Sequence, residues 1–380
     1  MFANSILRGA SRLRVKLGIP RSLFYYRFYY LWETFFSELG VEVIVSDTTN
    51  KRILDDGVKA CVDEACLPIK LFHGHVINLI DRVDCIFVPR FTSISMREYI
   101  CPEFGGLPDM IRHTLKGLPL LIDTEVNMRS SKDGAMKAAI EAAAIFRNGM
   151  RAAKAAFEVA LEKHHNFRCR TLCGTPPFYQ DMGMVLQGAR SVSSSESSSP
   201  RCGRSGPGSV SSSPSTEEDA KTVTLSAVSP AARMKIAVIG HSYTIYDRYI
   251  SMDLLGKLKK LDAEITTIEM VDEWDINRQA SLLFKPMFWN YGRNAYGAAL
   301  HLAAHGEIDG MICITSFGCG IDSFVYDLIE RKVRSEYKLP LITITLDEHS
   351  GEAGFNTRLE AFVDMLYWRK LHENNISASG

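Results

Sequence analysis

The stretch that decides the fold runs from residue 310 to residue 320 and reads GMICITSFGCG. Its first part, Gly310 to Thr315, is a short apolar run that predicts a buried strand. The strand leads into Gly318-Cys319-Gly320, where the flanking glycines let a bulky group approach the backbone closely. In open parallel sheets, ligands bind outside the carboxyl ends of the strands. The stretch therefore predicts that Cys319 lies at the ligand-binding edge of such a sheet.

Strand and helix patterns alternate on both sides of this stretch. Further strands of the second half are predicted at Lys235–Ile239, Glu264–Ile268 and Leu341–Leu346. Helical patterns separate or follow them at residues 250–261, 287–304, 323–334 and 357–371. This order predicts a four-strand, doubly wound, Rossmann-like domain over residues 234–373.

The first half of the chain shows the same alternation. Its strands are predicted at residues 15–20, 41–45, 84–89 and 118–123. Its helices are predicted at residues 24–39, 68–80 and 108–115, and the first of them ends at Gly40 as a C-cap. We therefore expect an N-terminal Rossmann-like domain with a parallel sheet over residues 15–130.

Two segments connect these halves. A long packing helix is predicted over residues 131–167, because apolar residues recur at steps of three or four from Met136 to Leu161. The residues from Ala189 to Lys221 are mostly Ser, Gly, Pro and charged, and cannot bury enough apolar surface to fold. We expect a disordered linker over residues 186–225, which makes Cys202 a poor fixed ligand. The predicted fold class is thus α/β, with two Rossmann-like domains joined by a long helix and a Ser-rich linker.

The composition excludes several classes of protein. The 380 residues are 46% hydrophobic and 23% charged, as in soluble globular proteins. The 44 basic residues balance the 44 acidic ones, so there is no basic excess for binding nucleic acid. No apolar run approaches the ~20 residues that span a bilayer, and residues 1–14 lack the features of a secretory signal. We therefore expect a cytoplasmic protein whose nine cysteines, an odd number, are reduced.

Three cysteines lie in loops shaped by glycine or proline, where a strand ends or a helix begins. They are Cys66 in DEACLP, Cys101 in YICP and Cys319 in SFGCG. Such a backbone presents a thiolate to open space with amide N–H groups nearby. Three converging thiolates would hold an iron–sulfur cluster and leave one iron open. Because their spacing matches no local zinc or ferredoxin signature, the hypothesis depends on convergence of the two domains.

Three further cysteines are weaker candidates for ligands. Cys61 precedes Cys66 by five residues and stays open as a fourth ligand, although its surroundings resemble a helix end. Cys169 and Cys173 form a C-x3-C pair that lacks the third cysteine of a radical-SAM pattern.

Other residues of interest are predicted to pack in the core. Cys85 and Cys313 lie inside apolar strands and serve as small core side chains. His73 and His75 are two apart on a predicted helix and do not face each other, so we interpret them as cap or core residues.

The densest polar cluster is DEHSGEAG at residues 347–354, directly after a buried strand. Glu348, His349 and Glu352 are candidates for acid–base catalysis there. The alternative is a structural loop whose Asp and Ser side chains cap the next helix. No Walker motif is present, so we do not expect the chain itself to hydrolyse ATP.

Taken together, these motifs make the chain resemble the 2-hydroxyacyl-CoA dehydratase family, and most closely its branch of CoA-enzyme activase-like or dehydratase-like iron–sulfur proteins. The likeness spans about residues 16–366. The stretches that carry it are GIPR at 18–21 with FYY at 24–26, DEACLPIK at 63–70, VPR at 88–90, EYICP at 98–102, GLPD at 106–109, FGCG at 317–320 and DEHSGEAG at 347–354.

The resemblance implies a [4Fe–4S] cluster between two Rossmann-like domains, with Cys66, Cys101 and Cys319 as its ligands. In dehydratases of the family, an actin-like ATPase activator of the sugar kinase/Hsp70 superfamily delivers one electron to the cluster. The electron passes to an acyl-CoA thioester and forms a ketyl radical from which the hydroxyl leaves, while the open iron acts as Lewis acid. Because the dehydratases are usually heterodimers, the resemblance also implies a homo- or heterodimer.

Two functions remain open at this point. The first is an enzyme, a dehydratase-like lyase or cluster-dependent reductase that acts on an acyl-CoA-like substrate. The second is a non-catalytic electron-transfer or accessory protein that docks to the ATPase activator. An open iron favours the enzyme, and a fourth protein ligand favours the carrier. A third alternative, a binding protein whose cysteines occur by chance, is disfavoured by seven motifs in order.

Overall fold

The computed structural model describes residues 14–174, 233–305 and 308–378. In the first half, strands β1 to β6 span Lys16–Ile19, Glu42–Val45, Cys85–Phe87, Arg90–Ser93, Leu120–Ile122 and Glu125–Asn127. A parallel sheet has the strand order β2-β1-β3-β5. β4 and β6 pair in parallel as a separate two-stranded sheet just after β3 and β5. The predicted parallel sheet of the first half is confirmed.

Six helices accompany these strands in the described part of the first half. α1 to α6 span Tyr25–Glu38, Lys51–Ala60, Leu67–Leu79, Pro102–Thr114, Gly134–Ile145 and Met150–Leu172. α2 and α3 cross so closely that a Cβ on Gly57 would collide with the Lys70 carbonyl oxygen, and one on Gly74 with that of Ile53. These two glycines therefore allow α2 and α3 to pack closely. This packing helps to position α3 and Cys66, the residue directly before it.

The second half has the doubly wound form that its sequence predicts. β7 to β10 span Met234–Ile239, Ala263–Thr267, Gly310–Ser316 and Leu341–Leu346, and they form a parallel sheet in the order β10-β9-β7-β8. α7 to α12 span Ser242–Ile245, Leu254–Lys260, Glu273–Ala280, Asn290–Ala304, Gly320–Lys332 and Glu352–Ala378. A 3-10 turn at Ile268–Met270 and a π-helical turn at Val333–Tyr337 complete it. Every residue of β9 is buried, which explains the apolar run from Met311 to Ile314 in its middle.

Two helix predictions need correction. The helix predicted over residues 131–167 is two helices, because Arg147 adopts the left-handed conformation (φ 60°) and Gly149 is extended. Asn148 and Gly149 are poor helix formers, so the chain can turn there. The helix predicted at 108–115 starts earlier, at Pro102, and Pro108 lies inside it. Pro102, and not Pro108, occupies the first turn of this helix.

Both halves contribute to one apolar core and belong to one compact unit. Leu17 and Phe35 of the first half share this core with Ile236 and Leu346 of the second. A second core lies around Ala299 and Ile329, between β9 and its helices. The predicted Ser-rich linker, Cys202 and residues 1–13 lie outside the described residues. Among the helices that are described, none has both the length and the apolarity to cross a membrane.

Candidate functional site

Cys66, Cys101 and Cys319 each occupy the residue directly before a helix, namely α3, α4 and α11. Pro68 and Pro102 lie in the first turns of α3 and α4. The first backbone N–H groups of a helix have no partner within it, and the helix dipole is positive there. Both features stabilise a thiolate. The three motifs thus put each cysteine at the positive end of a helix.

The loops that carry the three cysteines meet. The thiol of Cys66 donates a hydrogen bond to Oε2 of Glu103 over 3.4 Å, and Glu103 is two residues beyond Cys101. Gly318, the neighbour of Cys319, has φ +82°, and a Cβ built on it would lie 3.3 Å from Cα of Cys66. Glycine therefore permits both the left-handed turn and the close approach of the two loops.

Burial is the largest influence on the pKa values of these three thiols. Burial raises the pKa of Cys66 strongly, and the charges of Glu103 and Cys319 add to the rise. Burial likewise raises the pKa of Cys319, with Asp322 and Cys101 adding to it. Burial raises the pKa of Cys101 to about 11, although backbone N–H groups of α4 oppose the rise. The thiols therefore hold their protons until a positively charged group displaces them.

Residues of the second half bind the loop that contains Cys101. Nε of Arg293 lies 2.5 Å from Oε1 of Glu98, as an ion pair rather than a well-aligned hydrogen bond. Nδ2 of Asn290 donates to Oε2 of Glu98 over 2.7 Å. The backbone of Tyr99 accepts from Asn290 (2.9 Å) and donates to Phe288 (3.1 Å). Residues from α10 and the segment before it therefore fix the loop in which Cys101 lies.

A buried histidine–aspartate pair lies beside Cys319. Nε2 of His241, the residue before α7, is 2.7 Å from Oδ1 of Asp322 in the first turn of α11. The hydroxyl of Thr315 donates to the other oxygen of Asp322 over 3.3 Å. If Nε2 carries the proton, Nδ1 of neutral His241 is an acceptor, and it has no partner among the described residues. The sequence did not reveal this pair, because His241 and Asp322 follow two different strands that are far apart in the chain and meet only in the folded protein.

A cavity of about 570 Å³ opens next to Cys319. This volume lies in the range of small-molecule sites. Ser316, Asp322 and Tyr326 also line it. The hydroxyls of Ser316 and Tyr326 are buried and lack a partner within the part of the chain that the structure describes. The lining of this cavity comes from the second half, and it includes neither Cys66 nor Cys101.

The polar loop after β10 makes its contacts elsewhere. Nζ of the buried Lys70 lies 2.6 Å from Oε1 of Glu348, and exposed Glu352 pairs with Lys257 at 2.7 Å. His349 is exposed. Glu348 and Glu352 line a separate cleft of about 340 Å³ beside α3. The polar contacts of these two candidate acids are thus with lysines.

Asp347 and Ser350, the side chains expected to cap the next helix in the alternative interpretation, bond within the loop itself. The hydroxyl of Ser350 and the backbone N–H of His349 both donate to Oδ1 of Asp347, over 2.9 and 2.8 Å. These bonds close the turn before α12. The catalytic role of Glu348, His349 and Glu352 stays a prediction.

The remaining candidates from the sequence fall into two groups. Cys85 and Cys313 are buried in strands, and the fully buried His73 and His75 bond to the backbone or to hydroxyls, so their core roles are confirmed. Cys61 ends α2, and Cys169 and Cys173 lie at the end of α6, where Cys169 is 3.5 Å from His165. The described cysteines are all free thiols.

The arrangement does not suit a single metal ion. In residues 14–174, 233–305 and 308–378, no three Cys, His, Asp or Glu side chains are grouped so that they could hold one ion. An iron–sulfur cluster differs, because its own irons and sulfides separate the cysteine ligands. Three thiols at helix N-termini, on loops that meet, fit a cysteine-ligated cluster.

Fold and geometry together define an α/β protein with two parallel sheets, in which the loops that carry Cys66, Cys101 and Cys319 meet. The family described as "CoA enzyme activase uncharacterised domain (DUF2229)" matches residues 16–271. This range covers more than half of the chain, so the protein belongs to that family. The matched range contains Cys66 and Cys101 and ends before Cys319. A comparison with curated proteins gives no match.

Proposed function

We propose that Cys66, Cys101 and Cys319 bind a [4Fe–4S] cluster and that the protein is a cluster-containing component of an acyl-CoA dehydratase system. Family membership supports a role in that system. The single observation that carries the cluster is the meeting of the three cysteine loops, each at a helix N-terminus. The reaction would be one-electron reduction of an acyl-CoA-like thioester, with an actin-like ATPase as the partner that supplies the electron.

A cluster with three protein ligands supplies one-electron transfer and a Lewis-acidic iron when bound. The chain provides the ligands from both halves, so the bound group would also fasten Cys319 to Cys66 and Cys101. The amide dipoles at the starts of α3, α4 and α11 stabilise the three thiolates. Glu103, whose pKa is raised by burial, lies where it can accept the proton that Cys66 loses.

His241 and Asp322 are a second candidate pair for proton transfer, beside the loop that contains Glu348 and His349. Asp322 orients the imidazole, and the unpartnered Nδ1 is free to accept or return a proton at a reacting hydroxyl. Comparison of His241→Gln with Glu348→Gln separates the two candidates, since loss of turnover on an acyl-CoA substrate in only one variant identifies the proton-transfer group.

A carrier function is the second candidate, and Cys61 favours it. Glu103 adds to the pKa rise that burial causes at Cys61, as it does at Cys66 and Cys101. Cys61 directly follows α2 and precedes Cys66 by five residues, and as a fourth ligand it would close the cluster. A closed cluster can transfer electrons but offers no iron to a substrate.

The test is anaerobic reconstitution with iron and sulfide, followed by metal analysis and EPR after reduction. Cys66→Ala, Cys101→Ala and Cys319→Ala should each lose most of the iron that the wild type binds. Cys313→Ala, which alters a buried strand cysteine, is the matched control and should keep it. A full cluster in Cys319→Ala would remove the ligand assignment.

Substrate addition then separates the enzyme from the carrier. An acyl-CoA added to the reduced protein should change the EPR signal if an iron is open to the substrate. An unchanged signal across several thioesters would instead favour the carrier.

A further inference from the structure

Glu103 reaches from the first turn of α4 to the thiol of Cys66. It lies two residues after Cys101, and its Oε2 accepts a hydrogen bond from Sγ of Cys66 over 3.4 Å. The loop of the third cysteine packs against the same residue, because a Cβ on Gly318 would lie 3.3 Å from Cα of Cys66. A carboxylate is therefore in direct contact with the cysteine at which the three loops meet.

The carboxylate of Glu103 lacks the partners that such a group usually has when it leaves water. It is partly buried, and its one polar contact within the described residues is the bond from the Cys66 thiol, which is a weak donor. No Lys, Arg or His of the described chain pairs with it. Charged groups in protein interiors are normally paired or bound to a metal ion. The position of Glu103 therefore favours a positively charged partner that the described chain does not supply.

Two other acids beside the cysteines show what carboxylates here otherwise do. Asp322 is buried, but its two oxygens are bonded to His241 and Thr315. Glu64 is exposed to water. The carboxylate of Glu103 has neither arrangement, since it is withdrawn from water and faces a thiol. This difference sets Glu103 apart from acids that only balance the charge of a helix end.

We propose that the carboxylate of Glu103 is the fourth protein ligand of the iron–sulfur group, bound at the iron that has no cysteine, and that a substrate oxygen can displace it. The inference rests on the proposed cluster. Glu103 gives a lone pair of one carboxylate oxygen to that iron, and it withdraws when the carbonyl oxygen of a thioester gives its own lone pair instead. The exchange transfers no electron to the substrate.

The chemistry of the donors explains why this ligand would be exchangeable. Cys66 must lose its proton to bind iron, and once that proton has passed to water the carboxylate beside it is charged and has no hydrogen bond left. Carboxylate oxygen is a harder ligand than thiolate, and the irons of iron–sulfur clusters prefer soft sulfur ligands. Glu103 would therefore protect the iron without closing it permanently, as a fourth cysteine would.

The experiment compares wild type, Glu103→Ala, Glu103→Gln and the control Glu64→Gln. Each protein is reconstituted anaerobically, its iron and sulfide are counted, and cyanide is titrated in as a probe for the iron without cysteine, with EPR of the reduced protein as the readout. Both Glu103 variants should bind cyanide about tenfold more tightly than wild type, a difference of about 1.4 kcal/mol, because no carboxylate has to leave. Glu64→Gln should match wild type.

Oxidation by ferricyanide gives a second readout. Ferricyanide takes one electron from the cluster, one Fe²⁺ leaves, and a three-iron cluster with its own EPR signal remains. The iron lost is the one that no cysteine holds. Glu103→Ala should therefore form the three-iron signal faster than wild type, whereas Glu64→Gln should form it at the wild-type rate.

The stability of the cluster-free protein separates a ligand from a residue that only orders the loop. Glu103→Gln keeps an oxygen that can accept the bond from Cys66 and loses the unpaired charge, so it should unfold at the same or a higher temperature than wild type. If Glu103→Gln instead unfolds earlier and keeps the cyanide affinity of wild type, the role of Glu103 is structural and the proposal is overturned.

The two proposals fail in different ways. If wild type takes up no iron, the proposed function is wrong and this inference falls with it. If wild type and both Glu103 variants load fully and bind cyanide equally, only the role of Glu103 is wrong. A rise in cyanide affinity in Cys61→Ala, with none in the Glu103 variants, would assign the fourth position to Cys61. Should Glu103→Ala fail to load, Glu103→Gln alone decides, because it preserves the shape of the side chain.

Discussion

Gly318 packs against Cys66, so that the loop of the second half rests on the first cysteine of the first half. A Cβ on Gly318 would lie 3.3 Å from Cα of Cys66 and 3.5 Å from its nitrogen. The φ of +82° at Gly318 is one that side-chain-bearing residues rarely adopt. The approach of Cys319 to Cys66 therefore depends on a glycine at this position.

Gly318→Ala should lower both stability and cluster binding. The left-handed conformation costs a non-glycine residue about 1–2 kcal/mol, and the added methyl group presses on the backbone of Cys66. Denaturant unfolding and iron content after reconstitution measure the two effects.

Gly320→Ala is the control from the same motif. A Cβ there meets no atom within 4 Å, and φ is not positive. Its stability and iron content should be close to those of wild type. Equal behaviour of the two variants would show that the contact with Cys66 does not matter.

The ion pair between Lys70 and Glu348 should respond unequally to loss of its two members. Lys70 is 5% exposed at its side chain and Glu348 is 18% exposed. Glu348→Ala leaves a buried ammonium without a partner and should cost about 3 kcal/mol. Lys70→Met replaces the ammonium by an apolar side chain and leaves a carboxylate that can turn to water, so it should cost less.

Denaturant unfolding of both variants and of the double variant checks this order. The double variant should lose less stability than the two single losses added together, because each single change already removes the interaction. Strict additivity would mean that the two side chains do not interact in solution.

The same pair predicts a dependence of stability on pH. Burial acts to raise the pKa of Glu348, but the hydrogen bond from Lys70 prevails and lowers it below its ordinary value of 4.5. The stabilisation is therefore complete above pH 4.5 and is lost as the pH falls through the lower pKa of the folded state. In urea titrations at pH 3 to 7, Lys70→Met should lose less stability than wild type on acidification. Parallel curves would contradict the assignment to this pair.

Arg293 should be needed for cluster binding although it is not a ligand. Arg293→Met removes the ionic partner of Glu98 and leaves that carboxylate with its hydrogen bonds from Asn290 and Ser95. The loss should cost about 3 kcal/mol and loosen the loop of Cys101. Iron content at a temperature where the variant remains folded is the informative measurement.

Arg331→Met removes an exposed ion pair with Asp327 and is the matched control. It should cost less than about 1 kcal/mol and leave the iron content unchanged. A folded Arg293→Met that binds the full amount of iron would show that Cys101 keeps its position without the ion pair between Arg293 and Glu98.

Cys61→Ala should keep the full iron content and the EPR signal of wild type, because Cys61 lies at the end of α2 rather than at the positive start of a helix. Iron and sulfide analysis beside Cys66→Ala makes the comparison. Loss of iron in both variants would identify Cys61 as a fourth ligand and would favour the carrier function.

Most of the fold could be predicted because buried parallel strands have continuous apolar sequences. β9 and β10 were predicted within one residue at each end, and Gly40 ends α1 with the expected positive φ. The break at Arg147 could not be predicted from periodicity, since apolar residues continue at helical steps on both sides of it. The start of α4 at Pro102 was missed because a second proline, Pro108, gives the same local signal.

The sequence by itself determined which cysteines belong to turns at strand or helix ends, because glycine and proline control those turns locally. It could not determine that Glu103 reaches Cys66, that His241 meets Asp322, or that Gly318 packs against Cys66. Those relationships join residues from separate elements, and they arise only when two sheets pack around one core. Local residue preferences set the turns, whereas the packing of distant elements decides which turns face each other.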